Sequence, residues 1–313
     1  MYNIYLHGTF GYLDLMTGKI YSIKSPAKIN IGLYVKNKRK DGFHNIETIF
    51  YPIELNDEMK VKIEQTNNPV NYISVKDDNS KLSGRQNICY RAVKLFIDEM
   101  NIAGKYSIYV NIKKNIPIGA GLGGGSSNAA SVLKVFSKYF RLNSVKPISK
   151  QSQSRVNKIA SRLGSDVPFF LLGKPAYASL RGERLTLLPK FKIKYSILLV
   201  NPNIHISTKW AYDALDVLHA SKIKNNTVPK LREVQKFNVK NSALFQNDFE
   251  QAVFKKYPEV GEIKDDMYEY SAVFSSMSGS GSTVYGFFEK GINSAAKYFK
   301  GKGYWVYAVR SSR

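Results

Sequence analysis

"PIGAGLGGGSSNAA", residues 117–130, places five glycines in the seven positions from Gly119 to Gly125. Ser126, Ser127 and Asn128 follow, and the chain then turns apolar at helical spacing. Ahead of it, "YSIYVNIKK" (106–114) alternates as a strand does. A strand, a glycine-rich loop and a helix start, in that order, make an anion site. Helix N-termini present unpaired N–H groups and a partial positive charge. Glycines let the backbone approach a phosphate closely and take positive φ. The hydroxyls of Ser126 and Ser127 add groups suited to phosphate oxygen or magnesium. The bland alternative is a flexible loop before an ordinary helix. Five glycines in seven positions, followed by capping residues, make that the weaker reading.

The common nucleotide loops do not explain the stretch. A P-loop needs GxxxxGK[ST]; Gly119 and Gly124 have the spacing, but Gly125 stands where the lysine belongs. Gly119, Gly121 and Gly124 fit GxGxxG, yet "RLNSVK" occupies the region where a dinucleotide fold needs its acidic residue. The HRD and DFG signatures of protein kinases are absent.

Working outward, "AKINIGLYV" (27–35), "NIETIFYPIEL" (45–55) and "EMKVKIEQ" (58–65) read as strands, with "KRKDGF" (38–43) as the first turn. Helices are expected over 87–100, 126–140, with Ser and Asn caps, and 154–164. Beyond Pro189, "KYSILLVNP" is a buried strand and "STKWAYDAL" a capped helix. "SAVFSSMSGSGSTVYGFFEKG" (271–291) holds a glycine-rich turn and a strand. A helix over 292–303 and a strand over 304–310 close the chain. Strands and helices mix in both halves. The expected class is therefore α+β in two domains, as 313 residues suit at roughly 150 per domain.

Composition bounds the function. A hydrophobic fraction of 43% is enough for buried cores. No apolar run approaches the ~20 residues that span a bilayer. The first residues lack the basic start and apolar core of a secretory signal. Cys89 is the single cysteine, so no intrachain disulfide forms, and a reducing cytoplasm is expected. One cysteine and four scattered histidines give no metal-ligand cluster. The net charge of +23 favours anionic partners. Lysine dominates over arginine and is spread along the chain, whereas base readout favours arginine. The runs "KNKRKDG" and "KIKNN" read as solvated loops. A polyphosphate ligand is expected; nucleic acid and membrane are not.

At this point a resemblance becomes specific. "PIGAGLGGGSSNAA" is similar to the phosphate loop of the GHMP kinases, which phosphorylate small-molecule alcohols with ATP. "SPAKINIGLYV" resembles that family's N-terminal motif and "MSGSGSTVYGFF" its C-terminal glycine motif, in the family's order. "KDGFHNIETIF" and "LGSDVPFFLLG" add a likeness to members whose acceptor carries a cytidyl diphosphate. The resemblance runs from Ser25 to the C-terminus. It implies the two-domain GHMP kinase fold: a ribosomal-protein-S5-domain-2-like domain over 23–188 and a ferredoxin-like α+β domain over 189–313. Residues 1–22 are an extension with no counterpart.

The resemblance also assigns residues. The ATP loop is Pro117, Ile118, Gly119, Ala120, Gly121, Leu122, Gly123, Gly124, Gly125, Ser126 and Ser127, with Mg²⁺ carried along and its ligands unassigned. Lys28 supplies the cation that the loop lacks; from pattern alone it reads equally well as an edge-strand lysine. Asp166 is the base toward the acceptor hydroxyl; alone, Ser165 or Asp166 would simply cap a short helix with Pro168 in its first turn. Phe43 and His44 would hold the base of the acceptor, Tyr212 a third ring and Asn30 the alcohol part. Without the match, Phe43 reads as core and His44 as a satisfied turn histidine. Gly279 and Gly281 would let the second domain close on phosphates or acceptor. A monomer or weak homodimer is expected. Two alternatives remain: a GHMP kinase acting on mevalonate derivatives, homoserine or a sugar, and a non-catalytic basic nucleic-acid binder.

Overall fold

The computed structural model describes residues 18–78, 83–140, 150–220, 231, 234 and 236–311. Most of the expected extension, and the run "KIKNN", lie outside them. The described chain separates into two compact units that interleave along the sequence. Of the described residues, the first draws on those within 18–27, 56–116 and 124–172, and the second on those within 28–55, 117–123 and 173–311. Each compact unit thus draws on separate stretches of the chain. The cause is the length of the first two strands, β1 (Lys19–Lys38) and β2 (His44–Thr66), which pair with each other and run through both.

In the first unit, the distal half of β2 pairs antiparallel with β4 (Lys105–Lys113), Val61 opposite Val110. Strand β3 (Tyr72–Asp77) pairs parallel to β4 on its other side. One face of β4 is buried at every second residue, as its alternating sequence requires. Helices α1 (Ile88–Glu99), α2 (Gly124–Tyr139), α3 (Lys150–Leu163) and α4 (Val167–Leu172) complete the unit. Asn87 caps α1 by accepting from the Cys89 amide at 2.8 Å. Phe96 and Phe136 meet edge-to-face at 5.4 Å between α1 and α2. Cys89 is wholly buried, and burial pushes its thiol well above the ordinary range.

In the second unit, the proximal half of β2 pairs with β5 (Ala176–Ser179), which turns back into β6 (Arg184–Leu187). The chain then follows the order β7 (Ser196–Asn201), α5 (Thr208–Ala220), α6 (Phe249–Lys256), α7 (Pro258–Glu269), β8 (Phe274–Met277), β9 (Val284–Phe288), α8 (Ile292–Gly301) and β10 (Trp305–Val309). The sheet order β10-β7-β9-β8 is antiparallel throughout, the ferredoxin-like arrangement that was expected. Leu198, Leu215, Val253, Met267 and Phe299 belong to the core between this sheet and its helices.

Three local readings differ from the structure. Residues 45–55 and 58–65 form one strand, because the Asp57 carboxylate bonds to other segments instead of turning its own backbone. Helix α2 starts at Gly124, two residues before the expected caps, so Ser126 and Ser127 stand inside its first turn. Strand β3 and the β5–β6 hairpin had no legible period.

Lys134 on α2 yields a stability prediction. Burial lowers its ammonium to about 8 from the usual 10.5. Between those values the unfolded chain binds more protons than the folded one, so stability rises with pH across that window. Lys134→Met is therefore expected to stabilise at pH 7 by on the order of 1–3 kcal/mol, the gain shrinking toward pH 10.5. Denaturant midpoints at the two pH values measure this; an equal gain at both would contradict it.

Candidate functional site

The stretch from Pro117 to Gly123 leaves the end of β4 and enters α2. Gly119, Gly121 and Gly123 take φ of +65°, +79° and +71°, alternating with Ala120 and Leu122. Left-handed residues at every second position suit a backbone that turns successive N–H groups toward an anion. No acidic side chain stands in the first turn of α2 to compete for its positive end. Ser127 Oγ there is buried and has no hydrogen-bond partner. A buried hydroxyl without a partner, in the first turn of a helix that follows such a loop, fits a phosphate or its metal ion.

Within the second unit, the loop is held by Lys28. The Lys28 amide donates to the Leu122 carbonyl at 3.0 Å, and its ammonium donates to the Gly121 carbonyl at 2.8 Å. The same ammonium donates to Asn30 Oδ1 at 2.6 Å and lies 5.4 Å from the Phe50 ring centre. Lys28 and Asn30 are each 3% exposed. Asn30 is fixed in turn, donating to Thr48 Oγ1 at 3.1 Å and accepting from the Tyr285 hydroxyl at its carbonyl. The turn between β8 and β9 closes against the loop: Ser278 Oγ donates to the Gly121 carbonyl at 3.0 Å. A Cβ on Gly121 would lie 2.0 Å from the Ser278 carbonyl oxygen, so glycine is required there. Lys28 is thus buried against the loop and is not a surface lysine, although among the described strands β1 pairs with β2 alone. The structure brings together Lys28, Asn30 and the loop.

Asp166 and residues 124–127 belong to the first unit. Asp166 is half-buried on the turn between α3 and α4, with the α4 start at Val167 and Gly173 beyond its end at φ +64°. That turn neighbours the loop's serines: a Cβ on Gly164 would lie 3.8 Å from Ser126 Oγ.

The "KDGFHN" turn forms a second cluster, also in the second unit. Gly42 takes φ +84°, and the Arg39 amide donates to the Phe43 carbonyl across the turn. Phe43 is 55% exposed, with the Arg181 guanidinium 4.9 Å from its ring centre. His44 is buried and stacks on Tyr212, centroids 4.8 Å apart at 12°. Tyr212 rests edge-on against Phe249. His44 Nε2 lies 2.7 Å from Asp216 Oδ1, and Lys38 donates to Asp216 Oδ2 at 2.8 Å. Partial burial alone raises the Asp216 carboxyl; its bonds with Lys38 and His44 outweigh that and bring it below the usual range. An ionised Asp216 only accepts, so the proton of this bond lies on Nε2. The Phe43 ring is thus open to a planar partner, while His44 covers one face of Tyr212.

Sequence reasoning missed Arg181, Asp216 and Ser278. Asp216 had a signal: it stands four residues after Tyr212, on the same helix face. Arg181 and Ser278 reach the site only through pairings distant in sequence.

Residues 87–174 match the GHMP kinases N terminal domain, and residues 228–303 match GHMP kinases C terminal. The chain is 35% identical over 266 residues to the 4-diphosphocytidyl-2-C-methyl-D-erythritol kinase of Bacteroides thetaiotaomicron, covering 84% of this chain and 90% of that one. It is 39% identical to the enzyme of the same name from Azobacteroides pseudotrichonymphae, covering 84% of this chain and 92% of that one. A crystal structure of 4-(cytidine 5'-diphospho)-2C-methyl-D-erythritol kinase superposes with TM-score 0.68 at 28% identity, covering 93% of this chain and 100% of that one. The mevalonate kinase of Methanococcus jannaschii superposes with TM-score 0.63 at 16% identity, covering 93% of this chain and 98% of that one; that likeness is one of fold alone.

Proposed function

The chain belongs to the GHMP kinases, ATP-dependent phosphotransferases with an alcohol acceptor, and we propose that it phosphorylates the 2-hydroxyl of 4-diphosphocytidyl-2-C-methyl-D-erythritol, in the non-mevalonate route to isoprenoid precursors. The observation that carries this reading is one hairpin holding both ends of the chemistry. Its β1 strand presents Lys28 to the glycine loop, and its far end leaves Phe43 exposed and stacks His44 on Tyr212.

ATP supplies the γ-phosphoryl group, and Mg²⁺ carried with it would neutralise charge on the phosphates. Among the described residues no group of three His, Cys, Asp or Glu gathers as a metal cage. The ion would travel with the ATP phosphates, and the Ser126 and Ser127 hydroxyls are the side chains that would be suited to hold it. The loop amides and the α2 N-terminus hold the phosphates, and Lys28 adds a fixed positive charge. Asp166 orients the acceptor hydroxyl and takes its proton late, as suits a loose transition state. Asn30 steadies the alcohol part. Phe43 and Tyr212 stack the cytosine, and His44 with the adjacent backbone reads its polar edge. The domains assigned to these tasks are 23–188 for nucleotide binding and 189–313 as the second domain. No helix among the described residues is long and apolar enough to cross a membrane. We place the enzyme in the cytoplasm, as a monomer or weak homodimer.

A coupled ADP-release assay across a panel of alcohols tests the assignment. The cytidyl compound should be turned over, and methylerythritol phosphate without the cytidine should be a very poor acceptor. Turnover of mevalonate, homoserine or galactose with none of the cytidyl compound would overturn the assignment within the family. Phe43→Ala or Tyr212→Ala should weaken acceptor binding by roughly ten- to a hundred-fold, the effect of losing one base–aromatic stack. The ATP KM should hold.

A further inference from the structure

Asp57 has a carboxylate of zero exposure that no step above uses. Its Oδ1 accepts from the backbone amides of Asn115 and Ile116, both at 2.9 Å. These are the last two residues before Pro117. Its Oδ2 accepts from the Lys114 ammonium and from Asn128 Nδ2, the latter at 2.9 Å. Lys114 Nζ also reaches Asn128 Oδ1 at 3.2 Å. Asn128 stands one turn into α2. One carboxylate thus ties the chain entering the glycine loop to the helix leaving it.

The position of Lys114 explains why the tie is anionic. A Cβ on Gly124 would lie 3.1 Å from Lys114 Nζ, so the ammonium sits beside the first residue of α2. A cation at the positive end of a helix is unfavourable by itself. Asp57 compensates it and, through Oδ1, fixes the backbone on the other side of the loop. A buried ion pair retained only for stability is replaceable by apolar residues at little cost. This one instead spends its acceptors on the two flanks of a single loop.

We propose that Asp57 is a positioning residue for phosphoryl transfer, holding both flanks of residues 117–123 so that the loop amides and the first turn of α2 keep a fixed spacing for the nucleotide phosphates. The proposal rests on the reading of residues 117–127 as the phosphate cradle. It predicts a selective defect. Asp57→Asn keeps the shape and an oxygen for the Asn115 and Ile116 amides, but it sets an NH₂ group against the donors of Lys114 and Asn128. Its KM for ATP, and the Kd of a non-hydrolysable ATP analogue by calorimetry, should rise about ten- to a hundred-fold. The KM for the cytidyl acceptor should stay within about threefold, as expected where only the nucleotide side is displaced. Asn128→Ala should shift the same two constants in the same direction by less, and it carries the test should Asp57→Asn not fold.

A purely structural Asp57 gives a different pattern. The melting temperature falls and less enzyme is active, while the folded fraction keeps wild-type KM and Kd for the nucleotide. That pattern in both variants overturns the proposal. Failure of the cradle reading is separable, because it would also leave nucleotide binding intact in Gly121→Ala.

Discussion

Asn at position 166 is expected to lower turnover by about 10²–10⁴-fold, the range for losing a positioned acid–base group. The change is isosteric, so the turn before α4 keeps its shape, and ATP affinity should change little. Ala at position 28 should cut turnover over the same range but through a different split. Lys28 also donates to the Gly121 carbonyl and to Asn30. Its loss therefore loosens the loop, and KM for ATP rises along with the fall in kcat. Steady-state kinetics with each substrate varied in turn measure both patterns. Near-normal turnover in Asp166→Asn would remove that residue from the mechanism.

The second large effect belongs to Gly121→Ala. The added Cβ would meet the Ser278 carbonyl oxygen at 2.0 Å and the Gly281 oxygen at 3.3 Å, at a φ of +79°. Both obstacles are backbone, so no side-chain rotation relieves them, and the loop must move. A misplacement of about 1 Å costs on the order of 10²-fold in rate, and nucleotide affinity should fall with it. Gly301→Ala is the matched control: it stands at the end of α8 with open space around it and no positive φ. Calorimetry on both, with melting temperatures alongside, separates local from global loss. Wild-type nucleotide affinity in Gly121→Ala would sink the cradle reading.

What the sequence made legible was local. The glycine loop between a strand and a helix, the "KDGF" turn and the βαββαβ order of the last third each rest on patterns a few residues long. So do the places of Lys28 and Asn30 on one strand face. What stayed hidden depends on partners far along the chain. Asp57 looked like a break between two strands, and only Asn115, Ile116 and Asn128 show why the strand continues through it. Ser278 reaches Gly121 across more than 150 positions. Strand β3 is short and takes its place from pairing with β4, not from alternation of its own. Between core packing and an exposed ring, a single aromatic after a turn does not decide for Phe43; in the structure its ring is exposed, with the Arg181 guanidinium against it.

Cys89 sits in the first turn of α1, fully enclosed, and is the chain's single thiol. Alkylating and oxidising reagents attack the thiolate, which burial here disfavours. The native enzyme should therefore tolerate maleimides and peroxide without loss, and its reaction with a thiol dye should keep time with the opening of that helix. One residue thus serves as a built-in clock for unfolding, which a pulse of dye can read out on the purified enzyme without any engineered label.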